Sequence, residues 1–167
     1  MAIFSSSNAG AAATEPCPCL SGRVLAQCCL PYLEGAPAPT PEALMRSRYT
    51  AFVFGDEDHL FRTWHPRTRP RPPLCDPSVR WRGVEVLRAQ VRAVTSKDEG
   101  DAATSLREPS PIGVVEFRAH WSDASGRSGV MHEVSRFDLT CTGGAVFPCL
   151  GPVFRWFSAV VFSVLGH

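Results

Sequence analysis

The chain has 167 residues and a formal net charge of +1, with 44% hydrophobic and 20% charged residues. That length suits one ordinary domain plus a small appendage, and the near-neutral balance excludes a globally basic nucleic-acid binder. Seven cysteines, an odd number with four of them clustered, argue against a secreted disulfide framework and for a reducing compartment, the cytoplasm or another.

Residues 1–14 are rich in Ala and Ser, without charge or the basic start of a secretory signal, and read as a disordered leader. No Arg precedes Arg23, which does not suggest an organelle transit peptide but leaves organelle targeting open. Residues 15–35 hold the most specific pattern, Cys17-Pro18-Cys19 followed after eight residues by Cys28-Cys29. Two close cysteine pairs across a short loop supply the four soft ligands that tetrahedral zinc takes. Pro18 stiffens the first pair, Ser21-Gly22 turns the chain between the pairs, and Arg23 offsets the charge of four thiolates. A redox dithiol, a vicinal Cys28–Cys29 disulfide and unmetallated thiols are the competing readings. So short a segment cannot fold on its own apolar surface, so metal binding supplies its folding free energy. Losing Cys28 is then expected to unfold 15–35 and spare the remainder. Cys75, Cys141 and Cys149 read as ordinary thiols.

Residues 36–41, Ala-Pro-Ala-Pro-Thr-Pro, read as a stiff linker. Thr40 caps a helix with Pro41 at its first position, an apolar face of Leu44, Met45, Tyr49, Phe52 and Val53, and Gly55 as its stop. Asp56 or Asp58 caps a second, short helix with Leu60, Phe61 and Trp64, ended by His65-Pro66. Arg62, Arg67, Arg69, Arg71, Arg80 and Arg82 face Asp76 alone, which reads as a solvated basic loop or a patch for an anionic partner. The period then changes to two. Trp81–Leu87 predicts a strand, 95–111 a loop, Ile112–Trp121 a strand, 122–129 a hairpin turn and Val130–Leu139 the partner strand. Helices first and strands afterwards imply an α+β domain with the helices on one sheet face.

The stretch CPCLSGRVLAQCC resembles the SEC-C motif. EALMRSRYTAFVFGDEDHLFRTWHPRTRP, WRGVEVL, VVEFRAHW and HEVSRF resemble the YchJ family, over roughly Cys17 to Phe137. The resemblance implies a zinc module followed by a cystatin-like, SnoaL-like or nuclear-transport-factor-two-like cone, with a curved antiparallel sheet wrapped round helices. It also implies Cys17, Cys19, Cys28 and Cys29 as the ligands of a structural zinc. The chain departs from the family at Leu20, where a Gly is usual, and at Ala26-Gln27, where basic residues are common in translocase tails. After Phe137 the family's last strand is lost or replaced, and 140–167 is a divergent apolar tail. Its residues 156–166 are too few to span a bilayer, and they read as a substitute core segment or as a membrane-associated or poorly folded tail.

Two polar sets are candidates for a cone interior: Glu116, Arg118 and His120 on one strand, and His132 and Arg136 on the next. Cross-strand charge pairing on a solvated face is the plainer reading. Nothing in the chain marks a catalytic residue. The function expected is a zinc-held, non-enzymatic adaptor with a protein partner, no nucleic acid and no transmembrane span. The alternative is a small-molecule binder or enzyme that uses the second domain's pocket. Oligomeric state is left open.

Overall fold

The computed structural model describes residues 14–92, 111–140, 153–157 and 163–166. The expected leader up to Ala13, the 95–111 loop up to Ser110 and the tail beyond Thr140, apart from 153–157 and 163–166, lie outside these residues. A 3-10 turn at Leu25–Gln27 is followed by α1 (Leu30–Leu33), α2 (Pro41–Phe54) and α3 (Glu57–Thr63). Five strands follow: β1 (Val79–Arg92), β2 (Ile112–Asp123), β3 (Ser128–Thr140), β4 (Val153–Phe157) and β5 (Ser163–Gly166). The architecture is α+β.

Local chemistry sets the helix ends. Thr40 Oγ1 accepts from the Ala43 N–H at 3.1 Å, Pro41 occupies the first turn, and Gly55 closes α2 in the left-handed region at φ 69°. Asp56 Oδ1 accepts from the His59 N–H at 3.0 Å and starts α3. The helix ends at Thr63, one residue earlier than expected, and Trp64 is already in extended backbone.

The sheet is antiparallel, in the order β1-β2-β3-β4, with β5 also on β3. Register shifts between Trp81 and Gly83 and between Val86 and Arg88 bend β1. Along β2, Val115, Phe117 and Ala119 are buried beneath the helices, whereas Arg118 and His120 are exposed. Trp81 carries the contact between layers, meeting Tyr49 edge-on at 6.1 Å and Phe52 at 5.7 Å between ring centroids.

The outer edge of β3 is not left bare. β4 pairs with Arg136–Thr140 and β5 with Gly129–His132, so two short strands of the apolar tail occupy the two ends of the edge that a closing strand would cover. Among the described residues no helix is long and apolar enough to cross a membrane.

The 36–41 segment does not hold the cysteine loop at a distance. Ala38 is buried, and Cys17, Cys19, Leu25, Cys28 and Cys29 share one core with Leu44, Met45, Tyr49, Val84 and Val115. Leu33 packs in a second cluster with Ala51 and Leu60.

Candidate metal centre

Residues 15–33 fold into two small turns that present their sulfurs inward. Cys17 N–H donates to the Arg23 carbonyl at 2.9 Å and Leu25 N–H to the Glu15 carbonyl at 2.8 Å, which closes a miniature hairpin around the first pair. Leu20 N–H donates back to Cys17 at 3.0 Å, with Leu20 at φ 55° and Gly22 at φ 78°. The 3-10 turn then delivers Cys28, and Cys29 accepts from the first N–H groups of α1, those of Tyr32 and Leu33, at 3.1 Å.

All four cysteines are buried and unpaired as disulfides, and their sulfurs lie within 4.8 Å of one another. Cys19 and Cys28 are 3.5 Å apart, and Cys28 and Cys29 3.8 Å. A tetrahedral ion with metal–sulfur bonds of about 2.3 Å sets sulfurs roughly 3.8 Å apart, so the donor set fits. A disulfide needs about 2.05 Å, so Cys28 and Cys29 are separate thiols here.

The sulfurs also have polar neighbours. Ser21 Oγ lies 3.1 Å and Arg23 Nη2 3.6 Å from the Cys28 sulfur, and Thr50 Oγ1 lies 3.8 Å from that of Cys17. Arg46 Nη1 donates to the Cys19 carbonyl at 2.9 Å. Without an ion the thiols share protons unequally. Hydrogen bonding to Cys19 pushes Cys17 up to about 11, bonding to Cys17 and then Cys19 pushes Cys29 up, and the bonds Cys19 receives from Cys17 and Cys29 hold it well below the usual thiol range. A divalent ion replaces the shared protons with one positive centre.

The polar sets proposed for an interior lie elsewhere. His132 Nε2 meets Glu116 Oε1 at 2.8 Å, and Arg118 reaches Glu85 at 3.9 Å with both side chains exposed. His120 is exposed, and Arg136 shares the phase of His132 on β3. These residues occupy the sheet face away from the helices. The opposite phase, Phe117 and Ala119 on β2 with Met131, Glu133, Ser135 and Phe137 on β3, lines a cavity of about 420 Å³ beneath α2. Glu116 and His132 pair across the strands on the outer face, and the inner face carries its own polar pair. Ser135 donates to Glu133 inside the core, where both are buried. The missed signal was Met131 and Phe137, apolar residues in phase with them.

Three of the six arginines of the basic segment make contacts within the fold. Arg62 donates to the carbonyls of Tyr32 and Leu33, Arg69 donates to the Trp64 carbonyl at 3.2 Å and stacks over Phe61 at 3.8 Å, and Arg82 donates to Ser122 Oγ at 2.8 Å.

A family model described as "SEC-C motif" matches residues 14–31, and one described as "YchJ, middle NTF2-like domain" matches residues 40–144. A UPF0225 protein of Streptomyces coelicolor is 44% identical over 126 residues, covering 75% of this chain and 86% of its own. One from Deinococcus radiodurans is 41% identical over 124 residues, covering 74% of this chain and 79% of its own. A solution structure of a SEC-C motif containing protein from Rhodopseudomonas palustris aligns with TM-score 0.57 at 27% identity, over 84% of this chain and 95% of that one. A crystal structure of a sec-c motif containing protein from Psychrobacter arcticus shares the fold with TM-score 0.62 at 23% identity, over 92% and 87%.

Proposed function

The chain belongs to the YchJ family of SEC-C motif proteins, and we propose that it holds one structural zinc ion and acts as a non-enzymatic protein-interaction adaptor. The observation that carries the metal reading is the convergence of four buried sulfurs within 4.8 Å. Four thiolates suit zinc among the common divalent ions, since magnesium and calcium take oxygen. Four protein ligands leave no coordination position for water or substrate, so the ion's role is to hold shape. Arg23 and Arg46 supply positive charge and hydrogen bonds around an ion–thiolate unit of formal charge about −2.

The adaptor reading is supported by what the metal loop displays. Leu20 stands 65% exposed at the tip of the turn, a large apolar side chain held outward by a segment that the ion makes rigid. A reducing compartment fits free thiolates.

Elemental analysis of purified protein tests the metal. One zinc per chain is expected, and Cys28→Ser should bring it towards zero. Cobalt substitution should give the intense thiolate charge-transfer bands and visible d–d bands of a tetrahedral sulfur site. Full zinc content in Cys28→Ser would remove Cys28 from the ligand set. The adaptor role is tested by partner capture with zinc-loaded and chelator-treated protein, beside a Leu20→Ser variant that retains its metal. Capture indifferent to both changes would overturn it.

A further inference from the structure

The cavity between α2 and the inner face of the sheet is lined by none of the four cysteines, so it is a second candidate site beside the metal centre. Its volume, about 420 Å³, falls within the roughly 300–1,000 Å³ of small-molecule sites. Its walls are aromatic and thioether: Tyr49, Phe52, Trp64, Trp81, Phe117 and Met131 all face it. A lining rich in rings favours a flat, apolar body.

Against these walls stands a small polar group. Glu133 is 7% exposed and takes the Ser135 hydroxyl on Oε1. Arg48, 5% exposed, donates from Nη1 to Thr63 Oγ1 at 2.8 Å and the Leu60 carbonyl at 3.2 Å, and its guanidinium lies 4.6 Å over the Trp64 ring. Arg48 Nη1 is thus bonded to Leu60 and Thr63 of α3. The Glu133 carboxyl is the acceptor on the β3 wall. Burial favours its uncharged form, which the neighbouring Arg48 and the Ser135 hydroxyl oppose. The Ser135 hydroxyl is one donor, and the Glu133 carboxyl has acceptor capacity for another. Arg48 and Glu133 bring opposite formal charges to the wall, so the cavity does not select a charged ligand.

We propose that this cavity is a binding site for an uncharged aromatic molecule that carries a hydrogen-bond donor, a hydroxyl or N–H, directed at Glu133. Burial against the aromatic lining supplies affinity, and the donor fixes orientation.

The test uses the zinc-loaded full chain and N-phenyl-1-naphthylamine, which is uncharged, aromatic and bears one N–H. Its fluorescence should rise saturably at one site per chain, with quenching of tryptophan emission by transfer from Trp64 and Trp81. Naphthalene, which differs from 1-naphthol only by the missing hydroxyl, should displace the probe at least tenfold less effectively than 1-naphthol. Ala119→Phe sets a ring into the cavity and should weaken the probe at least tenfold at unchanged zinc content. Where that variant does not fold, Met131→Trp enlarges a half-buried wall residue and should have the same effect. No saturable binding by the wild type would overturn the site. So would equal affinity in a folded blocking variant, and equal displacement by the two naphthalenes would overturn the role given to Glu133.

Discussion

Arg46 ties the cysteine loop to α2: its Nη1 donates to the Cys19 carbonyl at 2.9 Å while its Nε holds Glu42 at 2.8 Å. The same helix places Thr50 against the Cys17 sulfur, and the four cysteines lie in one core with Tyr49 and Val84. Metal removal should therefore loosen the whole chain, contrary to the expectation that only 15–35 would unfold. An ion present at a thousand times its Kd adds about 4 kcal/mol to stability. For a chain of this size each kcal/mol moves Tm by about 2–4 °C, so chelation should lower Tm by roughly 8–16 °C. Thermal unfolding followed at tryptophan should remain one transition that shifts downward. A tryptophan transition unmoved by chelator would show that the loop and the sheet are energetically separate.

Leu20 sits at φ 55°, where a residue with a Cβ costs roughly 1–2 kcal/mol relative to its ordinary backbone regions. Its side chain is mostly exposed and rests on Gly83 of β1, where a Cβ would approach Leu20 Cδ1 to 2.7 Å. Leu20→Gly should relieve the turn and be neutral or stabilising by up to about 1 kcal/mol. Leu20→Val adds branching at Cβ in the same conformation and should weaken metal retention against a competing chelator. Equal metal retention by the Gly and Val variants would mean that this turn does not govern the site.

These relationships differ in how visible they are along the chain. The ends of α2 and α3 were legible because a cap is a bond between neighbours: Thr40 with Ala43, Asp56 with His59, and Gly55 where the backbone turns left-handed. The convergence of the cysteines was legible for a similar reason, since all four lie within thirteen residues. The cavity face was not. Strand alternation separates two faces but does not say which one the helices cover, and Glu133 and Ser135 disguise the covered face as polar. The shared core was also hidden, because Pro37, Pro39 and Pro41 look the same whether the segment they stiffen spans solvent or lies against α2.

Thr40 is a cap whose loss should be felt at a distance. Thr40→Ala removes the acceptor for the Ala43 N–H and should cost about 1 kcal/mol, hence roughly 2–4 °C in Tm. Thr40→Ser keeps the acceptor and should recover most of this. The first turn of α2 also carries Glu42, the partner of Arg46, so Thr40→Ala should give up zinc to a chelator faster than Thr40→Ser. Identical rates would confine the cap's effect to the helix.

His59 is 1% exposed, with Ser47 Oγ 3.0 Å from Nε2 and Arg62 Nη2 3.2 Å from Nδ1. Arg62 only donates, so Nδ1 accepts and Nε2 carries the proton towards Ser47, whose hydroxyl donates to the Leu44 carbonyl at 2.8 Å. Burial first, then the charges of Arg62 and Arg48, lower the His59 pKa from 6.5 to about 3, with the Tyr32 backbone pulling weakly the other way. The folded pKa lies below the unfolded one, so unfolding takes up a proton between them and stability rises with pH. The His59 contribution is complete above about pH 6.5 and is lost progressively as pH falls towards about 3. At about 1.4 kcal/mol per pKa unit, the full effect is on the order of a few kcal/mol. The metal thiolates also take up protons in acid, so wild-type acid lability alone does not identify His59. His59→Gln keeps a donor for Ser47 and an acceptor for Arg62 but does not titrate. Its stability deficit against wild type in urea should be largest at pH 7–8 and shrink by about 2–4 kcal/mol by pH 4. A deficit constant across that range would mean that His59 is protonated as readily inside the fold as outside it, and the Arg62–His59–Ser47 bridge from α1 to α2 would then need another arrangement.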